Sequence, residues 1–469
     1  MARRLHLRKP FQCREAPVMQ TLSRLLRPAA LAAGLALGAA ALAGPSVFPT
    51  GTTRLDPERA WNGFVLFTGG DNIARLIDLN GRTVHEWKDA AAFSTAIDPA
   101  VNGGRRGHVL VTLELGEGAG TDLIPGRVNN RISKTVGELD WSGKPVWTFG
   151  EKAPGGFARQ HHDWGRLPNG NTYVLANEVR PIAGFRLPKL LDDVIHEVNP
   201  AGEIVWTWKA GDHVEEFGFT PEQLALVRAS DDPDYLHFND MKPVGPNRWF
   251  DAGDARFAPD NLIVDARNAN FIAIIDRKSG KVVWTLGPNL SAIPRGAAGR
   301  ALPRPVDQIS GQHDAQIIPA GLPGAGNLLV FDNQGTGGYP SPPLPVTGGS
   351  RVLEIDPIRK EIVWQYTAED SGQPGWAFRS THISAARRLP NGNTFIDEGQ
   401  SGRLFQVTRE GDIVWEYVNA HPRAGKDERG RPTLNFQLYR AQPVPADWVP
   451  AELPKPVALR PAEGFARAR

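Results

Sequence analysis

The sequence predicts an all-β protein: a six-bladed β-propeller in which a C-terminal strand closes the first blade. Three observations predict it. First, one phrase returns six times: an apolar strand, a polar turn, then Val-Trp or its equivalent. Two copies read Val198-Asn199-Pro200-Ala201-Gly202-Glu203-Ile204-Val205-Trp206 and Val407-Thr408-Arg409-Glu410-Gly411-Asp412-Ile413-Val414-Trp415. The aligned last residues are His85, Trp147, Trp206, Trp284, Trp364 and Trp415. A spacing of about 50 to 80 residues, all strand and turn, suits propeller blades rather than a helical array. Second, Asn-Gly turns stand between apolar strands at 167–172 and 389–394, both reading Leu-Pro-Asn-Gly-Asn-Thr. That pair is a strong hairpin signal because both central turn residues need positive φ. Third, the first unit lacks a first strand, and residues 436–443 near the other end of the chain have no unit of their own.

The elements follow in order. Residues 1–43 read as a secretory signal: Arg24 and Arg27 precede an apolar stretch at 28–43 that ends in Ala-Leu-Ala. Met19 lies upstream at a suitable distance to be the true start. Residues 44–60 form a linker, 61–447 the propeller and 448–469 a tail. In the first unit, residues 63–67, 74–79 and 83–87 match second, third and fourth strands. The third unit gives strands at 161–167, 173–176, 194–198 and 203–208. Pairing of 436–443 beside 63–67 would close the ring and remove open sheet edges. The Trp residues that end the fourth strands have a structural role, burying large area between neighbouring sheets. Connections from a fourth strand to the next first strand lie on one face, and here they are long. Residues 209–236 include a helix at 221–229 capped by Thr220; residues 288–311 are rich in Gly, Pro and Arg; residues 367–379 carry Trp376 and Phe378. Loops of this size crowd one end of the channel and usually serve function.

Composition narrows the function. The chain has 469 residues, 41% hydrophobic and 22% charged, which is globular and long enough for one large domain. A net charge of +2 gives no reason to expect nucleic acid. The one cysteine, Cys13, lies in the signal, so neither a disulfide framework nor a cysteine metal site is available. An exported bacterial protein, periplasmic or secreted, with no membrane span in its mature form, is the expectation. Oligomeric state is not legible.

Histidines carry the chemistry. Four first strands begin with one at about the same point: His161-His162-Asp163, His237-Phe238-Asn239, Gln312-His313-Asp314 and Thr381-His382. First strands are innermost in a propeller, so these positions converge on the axis under the long loops. Five of only 11 histidines share this address. Converging imidazoles could bind a metal, although no His-x-His or His-x-x-x-His spacing is present. They could also attack and protonate, one as nucleophile and another as acid. Arg159, Arg256, Arg267 and Arg379 lie near these strands in sequence and could clamp an oxyanion.

The strings Leu236-His237-Phe238-Asn239, Gly311-Gln312-His313-Asp314-Ala315 and Phe331-Asp332-Asn333, with the two Asn-Gly turns, resemble the bacterial arylsulfate sulfotransferase family over roughly residues 61–447. The resemblance implies an exported six-bladed propeller that moves a sulfuryl group from a phenolic sulfate donor to a phenol acceptor. It implies no nucleotide donor, no cofactor and no metal. It implies transient carriage of the group on a histidine, with His382 matching the nucleophile and His237 and His313 the assisting histidines. His161, His162, Arg267 and Arg379 are the expected substrate-binding residues. The family's arginine follows the Phe-Asp-Asn string, whereas Gln334-Gly335-Thr336-Gly337 stands there in this chain; Arg267 or Arg379 is its expected replacement. Two other readings remain at this point: a quinoprotein-like oxidoreductase, whose blade repeat the phrase at 275–284 also resembles, and a non-catalytic exported scaffold.

Overall fold

The computed structural model describes residues 49–452, apart from 89, 117–131, 291–300 and 343–347. The expected signal with Cys13, and most of the tail, lie outside the described residues. The protein is all-β in a propeller arrangement of antiparallel meanders, with few and short helices. The strands fall into five sheets of four to eight strands and one two-stranded hairpin. Strands Phe238–Pro243, Leu262–Ala266, Phe271–Ile275 and Val282–Leu286 make a simple four-stranded meander. The next sheet runs from His313–Ile317 to Glu361–Tyr366 and adds Arg304–Pro305 at its outer edge. The last runs from Ala385–Arg388 to Ile413–Val418, where Gly51–Leu55 pairs on the outside.

The expected third-unit strands are present but longer: Gln160–Arg166, Thr172–Arg180, Leu190–Val198 and Ile204–Lys209. They share one eight-stranded sheet with the preceding unit because Ser133 pairs with Gln160. The Ser133 hydroxyl also donates to Gln160 Oε1 at 2.6 Å, inside the sheet. The sheets therefore do not correspond one to one with the six expected repeats.

The missing partner of the first unit is Gln442–Val444, which pairs with Phe64, Val65 and Leu66. Only the end of the expected 436–443 stretch forms that ladder. Upstream, Leu438 N donates to Gly399 O at 2.9 Å and Ala441 N to Asp397 Oδ2 at 2.8 Å, so this part lies against the last sheet. Arg440, with φ 55°, turns the chain between the two.

Tryptophans tie each unit to the next. Trp87 Nε1 donates to Asp140 O, Trp147 to Asn199 O, Trp208 to Gly280 O and Trp284 to Pro357 O. Trp364 donates to Arg409 O, and Trp415 to Leu79 O back in the first unit. In the third unit the bond comes from Trp208, not the aligned Trp206, whose ring instead lies under the Arg277 guanidinium at 3.9 Å. Buried apolar residues form six clusters between successive units; one joins Leu389, Phe395 and Trp415 of the last to Val65, Phe67 and Ile77 of the first.

The long connections behave differently from one another. The expected helix spans Pro221–Arg228, with Thr220 and Gln223 forming a reciprocal capping box. Residues 367–379 hold two short 3-10 turns, with Trp376 68% exposed and Phe378 buried. Among the described residues no helix is long and apolar enough to cross a membrane.

Candidate active site

A left-handed residue recurs where the chain enters the first strand of each unit: Phe93, His162, His237, Asp314 and Ile383, with Arg440 in the C-terminal segment. Each lies at φ 51–62°, a region that bulky residues seldom adopt. The pairing of first and second strands shifts register nearby, between Val174 and Ala176, Phe238 and Asp240, and His313 and Gln316. Such bulges re-aim side chains. Here they bring residues from distant units to one place.

His161, His162 and His237 line one cavity of about 130 Å3, together with Asp193, Asp234, Phe93, Ile383 and Tyr439. His161 and His162 share a hydrogen bond between their Nδ1 atoms at 2.8 Å. His161 Nε2 lies 3.4 Å from Asp193 Oδ1, close enough for attraction but misaligned for a hydrogen bond. The His237 ring stands edge-on to His162 at 4.7 Å, and its Nδ1 contacts Asp234 Oδ2 at 2.6 Å. Burial pushes the His161 imidazolium down to about 4, and the His237 charge adds to the effect. Burial, with His237, also holds His162 well below its ordinary value. Both imidazoles are neutral at pH 7. The carboxylates diverge: burial, with the charge of Asp234, pushes Asp193 well above the usual range. Burial opposes ionisation of Asp234 too, but the His237 charge and hydrogen bond outweigh it and hold Asp234 low.

His313 is placed differently. It is 1% exposed and absent from the cavity lining. Its Nδ1 faces two acceptors, Gly311 O at 3.0 Å and Asn333 Oδ1 at 2.8 Å, while its Nε2 accepts from Ile383 N at 3.2 Å. That pattern fixes the proton on Nδ1 and engages both nitrogens. Burial, with the charge of Arg267, holds it neutral.

His382, half-buried, precedes Ile383 of the cavity wall. Its Nε2 lies 3.4 Å from Gln437 Nε2, and its Nδ1 3.3 Å from Thr381 Oγ1. Gln437 lines a second cavity of about 170 Å3, whose walls include Phe93 and Tyr439 as well. His382 itself lines neither cavity; it adjoins the first through Ile383 and touches the second through Gln437, and the two cavities share Phe93 and Tyr439.

The expected arginines separate. Arg267 is half-buried, donates to Asn268 Oδ1 at 2.7 Å, and its charge acts on both His313 and Asp234. Arg379 is exposed and its guanidinium donates to Gly348 O at 3.4 Å, away from the histidines. Arg159 bonds Asn177, and Arg256 pairs with Asp254 at the surface.

Sequence reasoning missed the C-terminal contribution. Arg440, 3% exposed, pairs with Asp163 at 2.7 Å and Asp240 at 3.0 Å and lies 3.8 Å from Asp314. Lys242 joins the same three carboxylates, and Arg387 also pairs with Asp314. Burial alone would keep Asp163 protonated, but the Arg440 and Lys242 charges outweigh it. Asp265 and Asp397, buried nearby with less compensation, are pushed up to about 7 and about 8. Arg440 Nη2 also donates to the Tyr439 hydroxyl at 3.0 Å, which donates to Asn239 O at 3.1 Å. The one sequence signal for these residues was the orphan strand itself. Asp193 and Asp234 gave none.

The family model described as Arylsulfotransferase (ASST) matches residues 56–428. The chain belongs to the arylsulfotransferase family. Membership makes it a sulfotransferase by family, acting between a phenolic sulfate donor and a phenol acceptor. The family's histidine strings are those whose geometry is described above. Where the family has its arginine, Gln334 bonds Asp332, which pairs with Arg351 at 2.8 Å. No curated protein matches the chain. Among solved structures, a protein of unknown function from Bacteroides caccae is 14% identical, covers 76% of this chain and 93% of its own, and has a TM-score of 0.42. The virginiamycin B lyase of Staphylococcus aureus is 12% identical, covers 85% and 97%, and has a TM-score of 0.33.

Proposed function

We propose that the protein moves a sulfuryl group from a phenolic sulfate to a phenol through a sulfohistidine on His382. The observation that carries this is that His382 is joined to Ile383 of the histidine cavity and touches Gln437 of the outer one. Gln437, as amide donor, would mark Nε2 as the acceptor nitrogen of the His382 ring, and this atom would attack sulfur once the donor substrate displaces that amide. In the first half-reaction the N–S bond forms as the aryl O–S bond breaks. The His237 imidazolium, held by Asp234, gives its Nε2 proton to the departing phenolate. In the second half, neutral His237 takes the proton of the acceptor phenol, whose oxygen attacks sulfur and frees His382. Protons balance over the cycle.

The neutral pair His161–His162 suits the sulfuryl oxygens: with Nδ1–H of His161 bonded to His162, the His162 Nε2–H is left to donate. Charge spread over equatorial oxygens is met by donors and by the field of Arg267. His313 takes a positioning role, holding the Ile383 amide and through it the His382 segment. That departs from the expectation that it binds oxygens. Arg379, exposed at the surface, is not part of this reading.

We also read the ring as six blades closed by residues 442–444, with the eight-stranded sheet counted as two. The chain of six tryptophan bonds returning to Leu79 and the six interfacial clusters favour that count. Export through the leader at 1–43 belongs to the same proposal and rests on sequence.

The test is intact mass after incubation of the full chain with 4-nitrophenyl sulfate. Wild type should gain one sulfuryl group and release 4-nitrophenol, and His382→Asn should do neither. A mass gain that survives in His382→Asn, or maps to another residue, would overturn the assignment.

A further inference from the structure

We infer that Asn333 is a positioning residue for the transfer: it fixes the proton of His313 and fastens the turn that carries His382. Its part in transfer rests on the sulfotransferase reading, whereas the fastening of the turn does not. Asn333 follows the strand Leu328–Asp332 and is fully buried. Its carboxamide is divided between two units. Oδ1 accepts from His313 Nδ1 at 2.8 Å, within its own unit, and from Ser384 Oγ at 3.2 Å, in the last. Nδ2 donates to Ser380 O at 2.6 Å. One side chain thus holds His313 and both ends of the segment 380–384.

The segment is fastened from within as well. Ser380 Oγ faces His382 O and Ile383 O, each at 2.7 Å, and accepts from Gln400 N at 3.1 Å. Ser350 Oγ accepts from Ser380 N at 2.9 Å. Ile383 is β-branched and sits at φ 51°, which persists only where the surroundings dictate it. Its N–H donates to His313 Nε2 at 3.2 Å, so that nitrogen must carry a lone pair. His313 offers one there only as the neutral ring with its proton on Nδ1, and Asn333 Oδ1, with Gly311 O, accepts that proton. A carboxylate in place of the amide would favour the imidazolium, whose Nε2–H would face the Ile383 N–H. Burial, then the positive charges of Arg267, Arg440 and His237, also keep His313 neutral. The backbone on either side of His382 is therefore anchored at Ser380 O and Ile383 N, and both anchors end on the Asn333–His313 pair.

The experiment compares the full chain with Asn333→Ala and Asn333→Asp. It reads turnover of 4-nitrophenyl sulfate with phenol, and backbone hydrogen exchange of the peptide spanning 380–386. Asn333→Ala should lower kcat about 10- to 100-fold with KM little changed. Its 380–386 amides should exchange about tenfold faster or more. Asn333→Asp also loses the donor to Ser380 O, so it should be slow at neutral pH. It should nevertheless gain activity as pH rises and His313 sheds its second proton, a limb absent from Asn333→Ala. Independently of any variant, 15N spectra of wild type at pH 6.5 should show His313 protonated on Nδ1 alone; an imidazolium or an Nε2–H ring overturns the proposal. Unchanged exchange in Asn333→Ala, or faster exchange with kcat unaltered, overturns it too. Faster exchange in Asn333→Ala, when wild type itself transfers no sulfuryl group, upholds the fastening and overturns the transferase reading.

Discussion

Replacing Arg440 by Ala should destabilise the fold by several kcal/mol, and more at neutral than at acid pH. The side chain is 3% exposed and pairs with Asp163 and Asp240, and its Nη2 also donates to Asn239 O at 2.6 Å. Removing one partner of a buried ionic group leaves uncompensated charge and costs about 3–5 kcal/mol. Lys242 shares all three carboxylates and stays behind, so the lower end is expected. With an unfolding entropy of about 2.1 cal/mol/K per residue over about 400 residues, each kcal/mol moves Tm by about 1 °C, giving a fall of about 3–4 °C. The pH dependence has a definite sign. Asp163 and Asp314 are held below their ordinary value of 3.8 by Arg440 and its neighbours, against burial. Their contribution is present above that value and lost as pH falls through the folded one. Without Arg440 the same carboxyls rise, so the deficit is full at neutral pH and narrows toward about pH 4. Calorimetry or urea titration at pH 7.5 and 4.5 measures both terms. Arg440→Lys, which retains the charge, should recover part of the loss. A Tm unchanged at pH 7.5, or a deficit that grows with acid, would refute the reasoning.

The remaining expectations are smaller. Trp415→Phe loses the bond to Leu79 O, but Thr52 Oγ1 also donates to that carbonyl at 3.0 Å, so the cost should be about 1 kcal/mol by urea titration. Asp234→Asn replaces the carboxylate that holds His237 Nδ1, and kcat should fall about 100-fold with Tm little changed, Asp234→Glu recovering part. An unchanged kcat would make Asp234 merely structural. His161 is held at about 4 against an ordinary 6.5, so stability should be complete above about pH 6.5 and decline as pH falls toward 4. His161→Gln should flatten that slope in urea titrations; an unaltered slope would exclude His161 as its source.

Much of the propeller arrangement was legible because each repeat carries its own instructions. The turn at 167–172, the alternation around it and the Trp after each hairpin act over a few residues, and local rules suffice to read them. The histidines were legible as an address, since the same strand position recurs in each unit. Their roles were not. His313 and His237 look equivalent in sequence, yet one spends both nitrogens on protein partners while the other faces a cavity. Arg379 lies three residues before His382 but points to solvent.

The sequence alone determined the all-β repeat, the orphan terminal strand and the recurrence of histidine at one strand position, because short-range hydrogen bonding and side-chain alternation dictate the strands and turns. Only the tertiary structure decided which side chains face one another. Asp193 becomes a partner of His161 because two strands of one unit bring them together, and Asp234 reaches His237 across one turn of chain. Arg440 reaches Asp240, 200 residues away, from a left-handed position in the last segment. The electrostatics of the site are set by burial and by charges from distant segments, and neither is written in any local stretch of the chain.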